Sequence, residues 1–138
     1  MIRLYLDVDG VLLRSNQEGE YRLIYNARKF LKYTRKNFDC FWLSTHSRYC
    51  AEDVKKYLAP FFKKAGIDIT LIAHIKAVTW KTLKTEALDL SSPFIWVDDA
   101  PLLLEFEALR KKNLEKYILI VNKEQNLLKQ LKRRVKLI

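Results

Sequence analysis

With 138 residues and 49% hydrophobic content, the chain is long enough for one domain with a sizeable core, and too apolar for disorder to be the default. No apolar run is long enough to span a bilayer, and Arg3 and Asp7 interrupt the apolar core that a signal peptide needs, so we expect a cytoplasmic protein without a membrane partner. The net charge of +10 fits a nucleic-acid partner, although many basic domains use such charge only for solubility.

The first predicted element is a strand at residues 2–7 that runs into Asp7-Val8-Asp9-Gly10. In an extended chain, Asp7 and Asp9 point the same way and lie about 6.6 Å apart along the strand. Two carboxylates aimed together repel each other unless a cation or a proton lies between them. Aspartate and glycine are also ordinary turn residues after a strand, so this motif alone leaves a structural and a functional interpretation open.

A polar segment separates this strand from the first predicted helix. We expect a short hairpin with strands at 11–14 and 21–24, placed over the end of the first strand. Asn26 is a favourable helix N-cap, and apolar residues at helical spacing predict a helix over 27–36.

The next predicted strand covers 38–43 and ends at Ser44-Thr45. A helix is predicted over 48–64, with Pro60 expected to break or kink it and Gly66 expected to end it. The two cysteines of the chain, Cys40 and Cys50, are too few for a disulfide framework or a metal cluster, and we expect both to be buried free thiols.

The second half of the chain continues the alternation of strands and helices. In order, we predict a strand at 68–73, a helix at 79–88, a strand at 94–97 ending in Asp98-Asp99, a helix at 101–112, a strand at 117–121, and a helix at 123–135 capped by Asn122. This alternation predicts an α/β fold of the Rossmann-like type, three layers with a mainly parallel five-stranded sheet, as a single domain over residues 1–138.

Three of the predicted strands end in polar residues that carry chemistry. In parallel sheets, ligands bind beyond the carboxyl ends of the strands. We therefore expect Asp7 and Asp9, Ser44-Thr45, and Asp98-Asp99 to meet at one edge of the sheet.

This order of motifs resembles the haloacid-dehalogenase-like (HAD) hydrolase superfamily over nearly the whole chain. The matching motifs are Asp7-Val8-Asp9-Gly10 after a strand, Ser44 at a strand end, a lysine before the last acidic motif, and Asp98-Asp99 at a strand end. The short gaps between these motifs leave no room for a cap domain, so we expect an open active site. The sequence around the tryptophans is similar to a subgroup associated with RNA-repair proteins.

The resemblance implies a Mg²⁺-dependent phosphatase. It implies that Asp7 is the nucleophile that forms an aspartyl-phosphate, and that Asp9 protonates the leaving oxygen and then activates water. Ser44, with Thr45 as the alternative, is expected to bind a phosphate oxygen. Because family members that cleave carbon–halogen bonds lack the second acid, the presence of Asp9 favours phosphate ester hydrolysis.

The resemblance also implies a motif lysine and a metal site. Lys81 is the favoured lysine for catalysis and phosphate binding, with Lys84 as its competitor one turn away. The implied Mg²⁺ ligands are the Asp7 carboxylate, the Asp9 backbone carbonyl and the Asp98-Asp99 pair, of which Asp99 is the favoured direct ligand.

The residues that contact the substrate, the substrate itself and the function stay open at this stage. His46 and Arg48 follow the second strand and are candidates for substrate contact, or are ordinary surface groups. The open site and the positive charge favour a phosphorylated nucleotide or nucleic-acid end as substrate, with a phosphoprotein or a small phosphoester as alternatives. The alternative function is a catalytically weak module on the same scaffold that binds nucleic acid or protein; a phosphate-receiver domain fits less well, because it places its acidic pair early in the chain.

Overall fold

A five-stranded parallel sheet forms the centre of the computed structural model, which describes residues 1–47 and 50–138. The strands are β1 (Ile2–Leu6), β2 (Leu13–Ser15), β3 (Tyr21–Leu23), β4 (Phe38–Trp42), β5 (Lys76–Ala77), β6 (Phe94–Asp98) and β7 (Ile118–Ile120). Strands β2 and β3 pair as a separate antiparallel hairpin. The other five strands lie in the order β5-β4-β1-β6-β7, and all four of their pairings are parallel.

Helices cover both faces of this sheet. They are α1 (Ala27–Asn37), α2 (Ala51–Ala65), α3 (Leu103–Arg110) and α4 (Leu127–Val135). Apolar residues of α1, α2 and α4 pack together on one face, whereas α3 packs on the other face beside the segment 78–92. The predicted three-layer α/β architecture is therefore confirmed, and within the described residues the connections contain no cap domain.

The two cores follow from the alternation of side chains along the central strands. In β1, Leu4 and Leu6 point to the three-helix face and Tyr5 points to the α3 face. Complete burial of a large apolar side chain stabilises the fold by roughly 1.5–3 kcal/mol, and the central strands are buried on both faces. None of the helices in the described part of the chain combines the length and the hydropathy needed to cross a bilayer.

The hairpin, α1 and β4 lie close to their predicted positions. Asn26 precedes α1 as expected, but its backbone is left-handed, with φ of 61°, and its side chain makes no capping hydrogen bond. Cys40 is buried, as predicted. The prediction that Cys50 is buried is wrong, because this residue precedes α2 and is exposed.

Of the two effects predicted for Pro60, a break or a kink, the break does not occur. Helix α2 continues through Pro60 to Ala65 and ends at Gly66, whose φ of 68° suits a glycine. Pro60 is exposed, so water can hydrate the carbonyl that loses its intrahelical partner. Buried Val54, Leu58 and Phe62 lie on both sides of Pro60 and hold the helix against the sheet.

The predicted strand at 68–73 is also wrong. Its apolar residues form a short 3₁₀ helix, Ile69–Ile72, and the strand of this region is the two-residue β5. The Asp68 side chain accepts a hydrogen bond from the Thr70 backbone N–H, which favours a turn over an extended chain.

The predicted helix at 79–88 does not form either. This segment is irregular apart from a short 3₁₀ helix, Lys84–Ala87. The Glu86 carboxylate accepts hydrogen bonds from the backbone N–H groups of residues 81, 82 and 83, at 3.0, 3.3 and 3.1 Å. These local bonds compete with the α-helix, so apolar spacing alone misled the prediction.

The last helix begins later than predicted. Asn126, not Asn122, caps α4, and its side chain accepts from the Lys129 backbone N–H. The Asn122 side chain instead accepts from the Glu124 N–H and forms a turn before the helix.

Candidate active site

Three neighbouring strands bring the predicted motifs to the same edge of the sheet. The Asp7 N–H donates to the Val97 carbonyl over 3.1 Å, and the Leu43 N–H donates to the Leu6 carbonyl over 2.8 Å. Strands β4, β1 and β6 therefore end level with one another. This register makes neighbours of the residues at the carboxyl ends of the three strands, namely Asp7, Ser44 and Asp98.

The centre of the site is a carboxylate cluster made by Asp7, Asp98 and Asp99. Each of these side chains offers an oxygen, and the three oxygens lie within 4.8 Å of one another. Asp98 is 2% exposed and Asp7 is 9% exposed. Gly10 makes room for the third member, because a Cβ atom on Gly10 would overlap the Asp99 carboxylate. The predicted convergence of the early and late acidic motifs is thus present in the structure.

Of the two lysines predicted as candidates, Lys84 lies at the carboxylate cluster. Its Nζ is 2.8 Å from Asp98 Oδ2 and 3.4 Å from Asp7 Oδ2, and its side chain is only 14% exposed. Lys81, the favoured candidate from the sequence, is exposed, and its backbone N–H donates to Glu86. The segment that carries both lysines forms no α-helix, so Lys84 does not lie one helical turn from Lys81 as expected, and the two side chains have different surroundings.

A buried glutamate on α3 holds the backbone of Lys84 in place. Glu105 is 2% exposed, and its carboxylate accepts the N–H of Lys84 at 2.6 Å and the N–H of Leu102 at 2.8 Å. The Lys84 ammonium therefore reaches the cluster from a segment that α3 fixes. Sequence reasoning did not find Glu105, because its partner lies 21 positions away.

Burial and crowding perturb the acid–base behaviour of the cluster. Burial raises the pKa of Asp7 to about 7, and the nearby Asp98 charge acts in the same direction, although Lys84 opposes both. Burial alone would lower the pKa of Lys84, but Asp7 and Asp98 outweigh it and hold that pKa above its usual value. The charged form of Asp7 is therefore unfavourable in this surrounding, and the Lys84 amine keeps its proton beside it.

A second ammonium group lies at the outer side of the cluster. Lys123 Nζ is 3.1 Å from Asp99 Oδ2, and its side chain is 54% exposed. The loop that carries Lys123 is tied to the hairpin, because Arg14 Nη1 donates to the Lys123 and Gln125 carbonyls, each at 2.8 Å. The hairpin and the loop after β7 are thus held together, and Lys123 of this loop lies beside Asp99.

Asp9 lies beside the carboxylate cluster but has different partners. Its Oδ2 is 2.9 Å from His46 Nε2, and its Oδ1 accepts a 2.9 Å hydrogen bond from the Tyr57 hydroxyl. The His46 and Tyr57 rings stack with their centres 3.8 Å apart and an interplanar angle of 13°. Burial and the bond to Asp9 raise the pKa of Tyr57 to about 12, so the hydroxyl keeps its proton and remains a donor.

Ser44 and Thr45 follow β4 directly, and the first is buried whereas the second is exposed. Ser44 is buried, and its Oγ accepts the His46 backbone N–H at 3.2 Å. Thr45 begins a short 3₁₀ helix, Thr45–Ser47, and is exposed. Arg48, the other candidate for substrate contact, lies outside the described residues.

Comparison of the chain with models of protein families, with curated proteins and with solved structures found no match. The chemistry of the site is therefore inferred from its own residues. The structure brings Asp7, Asp98 and Asp99 together and places Ser44 at the end of the neighbouring strand. The Asp9 carboxylate instead turns to His46 and Tyr57. Tyr57 and Lys123 were not predicted, because nothing in their local sequence distinguishes them from other helix and loop residues.

Proposed function

We propose that the protein is a Mg²⁺-dependent phosphoric monoester hydrolase of the HAD-like type that works through an aspartyl-phosphate on Asp7. The observation that carries the proposal is the meeting of the Asp7, Asp98 and Asp99 oxygens within 4.8 Å, with the Lys84 ammonium beside them. Such crowding of carboxylates is unfavourable for packing alone. It suits a site that holds a cation and a phosphate together.

The residues of the carboxylate cluster fit Mg²⁺. This ion prefers hard oxygen ligands, and Asp7, Asp98 and Asp99 supply three carboxylates at one point. Two like charges 4 Å apart repel by about 4 kcal/mol at an effective dielectric of 20, so a phosphate dianion would be repelled by each carboxylate. A bound Mg²⁺ supplies the opposite charge that offsets this repulsion. The Asp9 carboxylate faces His46 and Tyr57 and lies outside this set of three.

The reaction has two halves that the protein side chains can carry out. In the first, an Asp7 oxygen attacks phosphorus, the bond from phosphorus to the leaving oxygen breaks, and Asp9 gives that oxygen a proton. In the second, a water molecule gives its proton to Asp9 and attacks phosphorus, and the bond to Asp7 breaks to release phosphate. Lys84 stabilises the charge on the transferred group, and Ser44 offers a hydroxyl at the edge of the same site.

The lack of a cap domain in the described residues favours a substrate whose phosphate projects from a larger molecule. An uncovered site of this kind can accept the phosphorylated end of a nucleic acid or a nucleotide as well as a small ester.

The test is hydrolysis of p-nitrophenyl phosphate with MgCl₂ by the parent protein and by Asp7→Asn. We expect Asp7→Asn to lower kcat by about 10³-fold or more, because it removes the nucleophile. Asp39→Asn is the matched control, since Asp39 lies at the start of β4, away from the carboxyl ends of the strands, and forms an ion pair with the exposed Lys76 at 3.6 Å. A parent protein that is inactive with each divalent metal, or an active Asp7→Asn, would refute the hydrolase.

One surface favours a second function, the binding of nucleic acid. Helices α1 and α4 contain no acidic residue, and Lys132 of α4 lies over the Tyr33 ring of α1 at 5.1 Å, so the two helices are neighbours. Except for Asn37, each exposed residue of these helices is Lys or Arg. This surface lacks the apolar residues that enrich protein interfaces and insert into bilayers, so it suits an anionic polymer.

Binding of labelled oligonucleotides at two salt concentrations tests this second function. We expect Lys32→Glu/Arg35→Glu to weaken binding about tenfold, whereas Lys111→Glu/Lys112→Glu after α3 should change it little. Binding without hydrolysis of any phosphomonoester would favour the module over the enzyme. Equal effects of the two double variants would show that the α1–α4 surface has no special role.

A further inference from the structure

We propose that His46 and Tyr57 form a clamp that positions the Asp9 carboxylate for proton transfer to and from the leaving oxygen. This inference rests on the proposed hydrolase function and adds two positioning residues to it. Neither residue belongs to the carboxylate cluster.

The geometry of Asp9 carries the inference. Both of its oxygens have a partner, with Tyr57 donating to Oδ1 and His46 Nε2 lying 2.9 Å from Oδ2. A carboxylate with a hydrogen-bond partner at each oxygen cannot rotate about its Cβ–Cγ bond without losing one of these partners. The side chain is 40% exposed, so burial alone would leave it mobile.

The two partners also restrain each other. Their ring centres lie 3.8 Å apart in a stacked arrangement, and Tyr57 belongs to helix α2, whose buried residues pack against the sheet. The His46 backbone N–H donates to Ser44 Oγ, so the same residue connects the proton-transfer group to the end of β4. The clamp thus joins the ends of β1 and β4 to α2, and it holds Asp9 away from the oxygens that suit a metal ion.

A comparison of leaving groups separates this role from simple support of the fold. p-Nitrophenolate leaves readily without a proton, whereas an alkoxide such as that of glycerol 2-phosphate requires one. For Tyr57→Phe, which keeps the stacked ring, we expect kcat/KM to fall about tenfold more for glycerol 2-phosphate than for p-nitrophenyl phosphate. His46→Leu should show the same pattern, and His46→Gln, which retains an N–H donor, should recover part of the loss.

The matched control is Tyr33→Phe, a half-buried helix tyrosine on α1 with no carboxylate partner described. It should change kcat/KM for neither substrate. The same Tyr57→Phe change in an Asp9→Asn background should have no further leaving-group effect, because the positioned group is already gone. Equal losses for both substrates, or the full effect without Asp9, would overturn the clamp.

These experiments distinguish a failure of the clamp proposal from a failure of the hydrolase proposal. If the parent protein hydrolyses both esters and Asp7→Asn does not, the hydrolase stands, and the leaving-group pattern decides the clamp. If the parent is inactive, the hydrolase fails, and thermal unfolding decides whether the contact exists. Non-additive Tm changes for Asp9→Asn and Tyr57→Phe would support it, and additive changes would overturn it.

Discussion

At the scale of single residues, Lys84 shows how a side chain acquires its role from its surroundings. Its ammonium lies 2.8 Å from Asp98 and 3.4 Å from Asp7, while Glu105 accepts its backbone N–H. Lys81 is three positions earlier and is exposed. The two lysines are chemically identical, so the difference between them comes only from the backbone that carries them.

Lys84→Met should therefore abolish most of the phosphatase activity. We expect kcat to fall by about 10²-fold, because a preorganised charge beside the transferred phosphate is lost. Lys81→Met is the control, with kcat within about threefold of the parent. Steady-state hydrolysis of p-nitrophenyl phosphate measures both. The reverse ranking would mean that the segment 81–84 is arranged differently in the active protein.

Gly10→Ala should destabilise the protein more than Gly19→Ala does. Gly10 and Gly19 have nearly equal φ values of 79° and 80°, so an alanine at either position costs about 1–2 kcal/mol of backbone strain. Only at Gly10 would the added Cβ meet the Asp99 carboxylate, whereas nothing lies within 4 Å at Gly19. Urea unfolding should show about 1–3 kcal/mol of additional loss for Gly10→Ala, with weaker Mg²⁺ binding. Equal losses at the two positions would contradict this.

At the scale of elements, buried contacts and backbone hydrogen bonds decided which predicted segments became regular structure. Helix α2 includes Pro60 because its buried stripe outweighs one missing hydrogen bond. The segment 79–88 has helical spacing but no helix, because Glu86 takes the N–H groups of its first residues. Spacing along the chain predicts which side chains are apolar neighbours, but it does not show which backbone groups find partners elsewhere.

Pro60→Ala should stabilise the protein without changing its site. Alanine restores the missing intrahelical hydrogen bond, for a gain of about 1–2 kcal/mol after the greater freedom of the unfolded chain is subtracted. Ala59→Gly, at the adjacent exposed position, should lower stability by about 1 kcal/mol. Chemical denaturation measures both variants. A loss of stability in Pro60→Ala would mean that α2 needs the proline for its shape.

At the scale of the whole molecule, bringing like charges together lowers the stability of the fold. The pKa of Asp7, raised to about 7 by burial, lies well above the value of about 4 for an unfolded chain. The protonated form is thus favoured by folding. Its stabilising contribution is complete below about pH 4 and is lost as the pH rises through about 7.

This linkage predicts that metal-free Asp7→Asn is more stable than the parent at pH 8. We expect a difference on the order of 2 kcal/mol at pH 8 that shrinks towards pH 4, because asparagine never acquires the unfavourable charge. Excess Mg²⁺ should raise the Tm of the parent at pH 8 and that of Asp7→Asn much less. Thermal scans in EDTA and in MgCl₂ measure this. A difference that is independent of pH would show that Asp7 does not titrate as its burial requires.

The sequence by itself determined the α/β class, four of the five sheet strands and the edge at which the acids and Ser44 meet. The sequence contains apolar strands that each end in a polar group. Because parallel strands bring their carboxyl ends to one edge of a sheet, these polar groups must lie at that edge. Only the tertiary structure decided that Lys84 reaches the acids, that Tyr57 and His46 hold Asp9, and that residues 79–88 form no helix. The first two depend on hydrogen bonds or ion pairs between groups whose proximity is set by packing and not by their spacing along the chain. In residues 79–88, the Lys84 N–H bond to the distant Glu105 adds to the local bonds to Glu86.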